Sequence, residues 1–338
     1  MPLPPWIPIA TLSIVIAGCW QTTARAQSLS LWQKTAAQHE NSVMPMPNVP
    51  FPTMGGTQIW TDHRNVAGWR LQHNAVTGHW RLLDPRDIRR AWGERQPCEL
   101  KLLEATQDLD PAAAPRHVVI LLHGLMRSKH SMRGLARRIE ACPNPPQVIA
   151  FSYASTRFGI AEHAAALREL VEGLPGDPKL QFVGHSMGNI VVRHALADWQ
   201  ANGDSREVLP RVENVVMLGP PNQGAAIARR LSKLGLFEVV TGPGGMQLGP
   251  DWQQLVQGLA TPPCPFAIIA GDMPALEPYN PLVDGSSDFV VSIEEARLEG
   301  ASEFHTVPHL HSFLMDQDDV QTLTLRFMGL AEPPKRTE

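Results

Sequence analysis

Beyond Pro115 the chain repeats one pattern: a short apolar run, a loop, and a segment with helical spacing. HVVILL at 117–122 is apolar along its length after the histidine, as expected of a strand covered on both faces. The helix-like SMRGLARRIEAC follows, then the strand QVIAFSY, the helix GIAEHAAALRELVEGL, the strand KLQFVG, a helix from 187 to about 199, and the strand VENVVMLG. An irregular stretch occupies 220–265, before the strand FAIIAG, the strand-like FHTVP and a last helix near 320–328. Strands alternating with helices build βαβ units, so the expected fold class is α/β, with a mainly parallel central sheet flanked by helices. The chain has 338 residues, 43% hydrophobic and 18% charged, enough to bury a large core in one main domain.

Ahead of this pattern, TQIWTDH, GWRLQHN and HWRLLD alternate bulky and polar residues between turn signals, and predict antiparallel strands at the edge of the sheet. Trp60, Trp69 and Trp80 are expected to pack there. Residues 27–55 have the Pro-, Gln-, Ser- and Met-rich composition of a poorly ordered linker. Residues 1–26 read as an export signal: the apolar run 6–18 is too short for a bilayer span, and Ala24-Arg25-Ala26 offers a cleavage site. The expected location is therefore periplasmic or extracellular. No Lys or Arg precedes Arg25, and Ile16-Ala17-Gly18-Cys19 resembles a lipobox, so the alternative is a lipoprotein anchored to a membrane through Cys19.

The formal charge is −4 and the arginine pairs are scattered, which argues against nucleic acid as a partner. One pair among Cys98, Cys142 and Cys264 is free to bridge in an oxidising compartment, and spacing does not choose it. No Cys-x-x-Cys spacing suggests a metal site.

FVGHSMGNIV at 182–191 sets Ser186 between Gly184 and Gly188, where a buried strand gives way to a helix. That context gives a Gly-x-Ser-x-Gly match its meaning: the turn brings the backbone on either side of the serine together, and a Cβ at either glycine would collide. The alternative is a plain helix N-cap serine. With LLHGLMRS, MLGPPNQG, DGSSDFVVS and PHLHSFLM, the GHSMG segment resembles the α/β-hydrolase family, particularly bacterial lipases and carboxylesterases, and a bacterial subgroup similar to GPI inositol-deacylases. The likeness covers residues 116–329. It implies an α/β-hydrolase fold over 56–332, with antiparallel N-terminal edge strands and a small lid-like insertion at about 222–264.

The resemblance also implies roles. Ser186 is the nucleophile, and the oxyanion donors are the backbone N–H groups of Met187 and of Leu125, in the loop after His123-Gly124. His123 is expected to orient that loop, and His185 to be a structural neighbour of the serine. The family's chain order of serine, acid, histidine leaves His305, His309 and His311 as bases. His305 lies inside the last strand, so His311 is the choice and His309 the reserve. Asp288, in SSDFVVS, is the chosen acid, with Asp272 and Asp284 as alternatives. Phe289 stands where the family commonly has glycine. Ser292 and Glu295 form a capping-box pattern opening the helix IEEARL.

These residues imply ester hydrolysis through an acyl-enzyme, on an acyl ester or lipid substrate, without a cofactor. The same constellation serves amidases and acyltransferases, and a silent member of the fold that binds lipid or cell-envelope partners is the reading from another class. Ile227, Leu231 and Leu234 recur at near-helical spacing, with TGPGGMQLG as a flexible hinge. They form a lid over an acyl pocket or a helix that covers the core. Met126, Phe237 and Met246 are candidate pocket walls.

Overall fold

The computed structural model describes residues 58–233, 237–273, 282–283 and 285–332, the side chain of Pro111 excepted. The expected export signal, the linker, Cys19, Leu234 and Asp284 lie outside them.

The first strands, β1 (Trp60–Val66), β2 (Trp69–Asn74), β3 (Trp80–Leu83) and β4 (Arg89–Gly93), form their own antiparallel sheet in that order, instead of extending the main sheet. Its core is small. Leu71 and Leu82 pack with Cys98 and Leu102 of α1 (Arg95–Thr106), and Trp69 and Trp80 lie against them. The Arg81 guanidinium lies over the Trp60 ring, 3.8 Å from its centroid, a cation–π contact. Sequence patterning missed β4 and α1. Every β4 residue is half-buried, and α1 leaves Leu100 and Leu103 exposed while burying Cys98 and Leu102, so its apolar residues do not segregate to one face.

The main sheet holds β5 (His117–Leu122), β6 (Gln147–Phe151), β7 (Lys179–His185), β8 (Val212–Leu218), β9 (Phe266–Gly271) and β10 (Glu303–Val307). All are parallel, in the order β10-β9-β8-β7-β5-β6. The side-chain period of two explains why β5 is apolar throughout. Val118, Ile120 and Leu122 enter one core with α3 (Ile160–Glu172) and α4 (Met187–Asn202), while Val119 and Leu121 enter a second with α2 (Arg133–Glu140) and α9 (Asp318–Phe327). Beside the β6 edge, Asp62 joins the two sheets: its N–H donates to the Ser152 carbonyl at 2.8 Å, and its carboxylate accepts the Ser152 N–H at 2.8 Å.

Between β8 and β9, where irregular chain with one helix-like stretch about Ile227 and Leu231 was expected, lie α5 (Ala226–Leu231), α6 (Phe237–Leu248) and α7 (Trp252–Leu255). The expected glycine hinge is helical apart from a break at Gly242, φ 66°, just before Pro243. A Cβ at Gly242 would lie 2.0 Å from the Thr156 carbonyl oxygen, so close packing against the loop after β6 explains this glycine. The insertion is held at its roots by Arg193 of α4. This side chain, 4% exposed, donates from Nε to the Ala260 carbonyl at 2.9 Å and from Nη1 to Asn222 Oδ1 at 3.1 Å.

Cys98, Cys142 and Cys264 sit in three different apolar clusters and all carry free thiols, so no pair of them forms the bridge that the sequence left open. Burial pushes the Cys98 and Cys264 thiols up to about 11. Among the described residues no helix is long and apolar enough to cross a membrane.

Candidate active site

In a parallel sheet every strand ends on the same edge, so the loops after β5, β7, β8, β9 and β10 gather there. Ser186 follows β7 with φ 52° and ψ −124°, a backbone region that L-residues rarely occupy, and α4 starts at the next residue. The surroundings hold the serine in that turn. Its N–H donates to the Leu218 carbonyl at 2.9 Å, and its carbonyl accepts from the Asn189 N–H and Nδ2, both at 3.0 Å. The flanking glycines have no room for side chains. A Cβ at Gly184 would lie 2.3 Å from Asn189 Oδ1, and one at Gly188 would lie 2.8 Å from the Leu122 and His123 carbonyl oxygens.

His311 opens a short 3₁₀ turn after β10 (His311–Asp316). Its Nδ1–H donates to Asp288 Oδ2 at 2.7 Å, and its backbone N–H donates to the Asp288 carbonyl at 3.1 Å. Asp288 is 1% exposed, and its Oδ1 accepts the Val290 and Val291 N–H groups at 3.0 and 2.8 Å. These bonds satisfy a carboxylate that burial would otherwise penalise. The loop turns at Phe289 with φ 77°, so the phenylalanine adopts the left-handed conformation suited to glycine and the aim of the acid is kept. After it, Ser292 and Glu295 of α8 (Ile293–Ala296) form the complete capping box.

Ser186 and His311 line one cavity of about 260 Å³ with Leu125, Met126, Phe237 and Leu248. No hydrogen bond joins Ser186 Oγ to His311, a looseness common in unliganded sites. His309 is turned elsewhere, bonded through Nε2 to Asp319 at 2.8 Å, and Asp272 accepts from Ser286 Oγ at 2.5 Å. His305 faces Glu303 at 2.6 Å. Of the other candidate walls, Ile227 and Leu231 also face the cavity and Met246 does not.

Leu125 lies in the turn after β5 and lines the cavity; Met187 is the first residue of α4, so its N–H stands outside the intrahelical ladder. His123, fully buried, donates from Nδ1 to the Gly124 carbonyl at 2.9 Å. Sequence reasoning missed Tyr153, whose hydroxyl donates to the His123 carbonyl, and Asn189, which ties the serine turn to β8. The only sequence signals for them are a tyrosine just past a buried strand and an asparagine in the first turn of the nucleophile helix.

Three buried imidazoles surround this machinery. Burial lowers His123 to about 4 and His163 to about 3, and burial together with the charge of His311 holds His185 well below its usual range. His185 Nε2–H donates to the His311 carbonyl at 2.9 Å. A histidine with a depressed folded pKa binds its proton in the unfolded chain first, so its stabilisation is complete above about pH 6.5 and is lost as pH falls toward the folded value. For His123 the full loss is about 3 kcal/mol. The thermal midpoint is therefore expected to fall between pH 6.5 and 4, and His163→Phe to flatten that fall in a pH series of melting curves.

The family model described as "Putative serine esterase (DUF676)" matches residues 112–226, which run from before β5 to the start of α5. Among curated proteins no relative matches the sequence. Solved structures similar to this chain include the mature lipase BlEst2 of Bacillus licheniformis, at 17% identity and TM-score 0.49, over 66% of this chain and 95% of that one. The lin2722 product of Listeria innocua matches at 16% identity and TM-score 0.45, over 66% of this chain and 96% of that one. The parallel sheet, the serine turn between β7 and α4 and the family match over residues 112–226 together support an assignment to the α/β-hydrolase superfamily.

Proposed function

We propose that this hydrolase of the α/β type cleaves carboxylic esters, with Ser186 as nucleophile, His311 as general base and Asp288 orienting the imidazole. His311 Nε2 takes the hydroxyl proton as Ser186 Oγ attacks the carbonyl carbon, and the Leu125 and Met187 N–H groups receive the oxyanion. The imidazolium then protonates the departing alcohol, leaving an acyl-serine that water cleaves by the same steps. The positive end of the sixteen-residue α4 points at the developing charge. What supports the reading above all is the pairing of His311 with the buried Asp288 on the wall of the cavity that Ser186 lines.

A fluorophosphonate probe is expected to label the purified protein at one site and to leave Ser186→Ala unlabelled. Absence of labelling in the native protein would instead favour a silent binding member of the fold. Turnover of p-nitrophenyl esters of increasing chain length then separates esterase from lipase: a preference for short soluble esters argues against the lipase name. Export by cleavage after Ala26, or anchoring through Cys19, is proposed on the sequence of 1–26, and the mass of the mature N-terminal peptide distinguishes them.

A further inference from the structure

We propose that Arg127 selects the substrate by charge: the preferred ester carries a phosphate or carboxylate group close to the bond that is cleaved. This deepens the ester-hydrolase reading and rests on it.

The argument starts from a strained turn. Gly124 to Arg127 close a β-turn through Arg127 N–H and the Gly124 carbonyl at 3.3 Å, with Met126 in its third position at φ 58°. A left-handed methionine there is conformationally costly. The turn is supported from outside by Gln58, whose Nε2 donates to the Met126 carbonyl at 2.7 Å. It therefore presents two things at once: the Leu125 N–H toward the reacting carbonyl, and the Arg127 side chain on the wall of the same cavity.

The rest of that wall is mostly apolar, with Leu231, Phe237, Leu248 and Val291 among its residues, and among the described residues no Asp or Glu lines it. Among the described residues Arg127 is the one lysine or arginine that lines it. Half-buried Arg138, by contrast, reaches Asp318, Thr322 and Glu332. Arg127 makes no side-chain hydrogen bond or ion pair among the described residues. Its charge is felt by Asp316, whose carboxyl burial raises and Arg127 pulls down, but the two form no ion pair. A guanidinium has five donors in a planar fork that matches two oxygens of a phosphate or a carboxylate. Standing in an apolar cavity beside the nucleophile without a carboxylate, it is complementary to an anion on an acyl ester.

The test compares three octanoyl esters that differ only in the alcohol: glycerol, glycerol phosphate and glyceric acid. At least one anionic ester is expected to exceed the glycerol ester in kcat/KM by about tenfold or more, the usual worth of a charge-assisted hydrogen bond. Which of the two anionic esters is favoured identifies the anion. Arg127→Gln is expected to bring the anionic-to-neutral ratio near one, and Arg127→Lys to retain part of it, since an ammonium keeps the charge without the fork. The corresponding octyl ethers, titrated calorimetrically into Ser186→Ala with and without Arg127→Gln, read the same preference as binding and need no turnover. A native ratio near one, or a preference that survives Arg127→Gln in both assays, overturns the proposal. If no ester is cleaved and Ser186 takes no fluorophosphonate label, the hydrolase reading fails, and the ether affinities still decide on Arg127.

Discussion

Asp288→Asn is expected to lower kcat for ester hydrolysis by about 10⁴, the scale seen when a triad acid is made neutral in other serine hydrolases. The substitution is nearly isosteric. Its Oδ1 can still accept the Val290 and Val291 N–H groups that Asp288 holds now. The change falls on the other oxygen, which receives the His311 Nδ1–H at 2.7 Å. An amide NH₂ there is a donor, so the imidazole must turn its Nδ1 lone pair toward it and carry its proton on Nε2. In that tautomer Nε2 cannot take the proton of Ser186. Steady-state kinetics with a melting curve for each protein tests this: the rate collapses while the fold persists. A loss below about a hundredfold, with the protein folded, would mean that another group aims His311.

Gly188→Ala is expected to act through geometry. The new Cβ would sit 2.8 Å from Leu122 Cβ and from the Leu122 and His123 carbonyl oxygens. Those oxygens belong to the C-terminal end of β5 and the residue that leads into the Leu125 turn, so neither can retreat without disturbing the proposed oxyanion donors. Overpacking of this kind costs about 1–3 kcal/mol and occasionally more, and a misplacement of about 1 Å at a reacting group can cost about a hundredfold in rate. The variant should therefore melt several degrees lower and lose about two orders of magnitude in kcat. A variant that keeps native kinetics would show that the turn and the strand end can separate at little cost.

The parallel sheet was legible because both of its faces are buried, which leaves β5 and β9 as nearly unbroken apolar runs and gives β7 and β8 apolar stretches within theirs. The N-terminal sheet was only half legible. β1 to β3 alternate, but β4 is half-buried at every residue and α1 scatters its leucines over both faces. In the insertion the near-helical spacing of Ile227 and Leu231 announced α5, but α6 was hidden by Gly242 and Pro243, which read locally as a hinge, while contact with Thr156 decides the outcome.

At the site, the motif and the family's chain order single out Ser186, Asp288 and His311; Asp288 and His311 are hydrogen-bonded, and Ser186 lines a cavity with His311 without a bond to the imidazole. Tyr153 and Asn189 were not accessible, because each acts through a backbone carbonyl, and carbonyls leave no trace in a sequence. Arg127 was invisible for a related reason: what sets it apart is that no carboxylate among the described residues pairs with it, and that is a property of neighbours in space.

The Arg193 guanidinium has a mechanical consequence. Because one side chain of α4 grips Asn222 and Ala260 together, both feet of the excursion between β8 and β9 are pinned to the helix that begins at the nucleophile. A rigid swing of the whole excursion would first have to tear a cation away from its carbonyls.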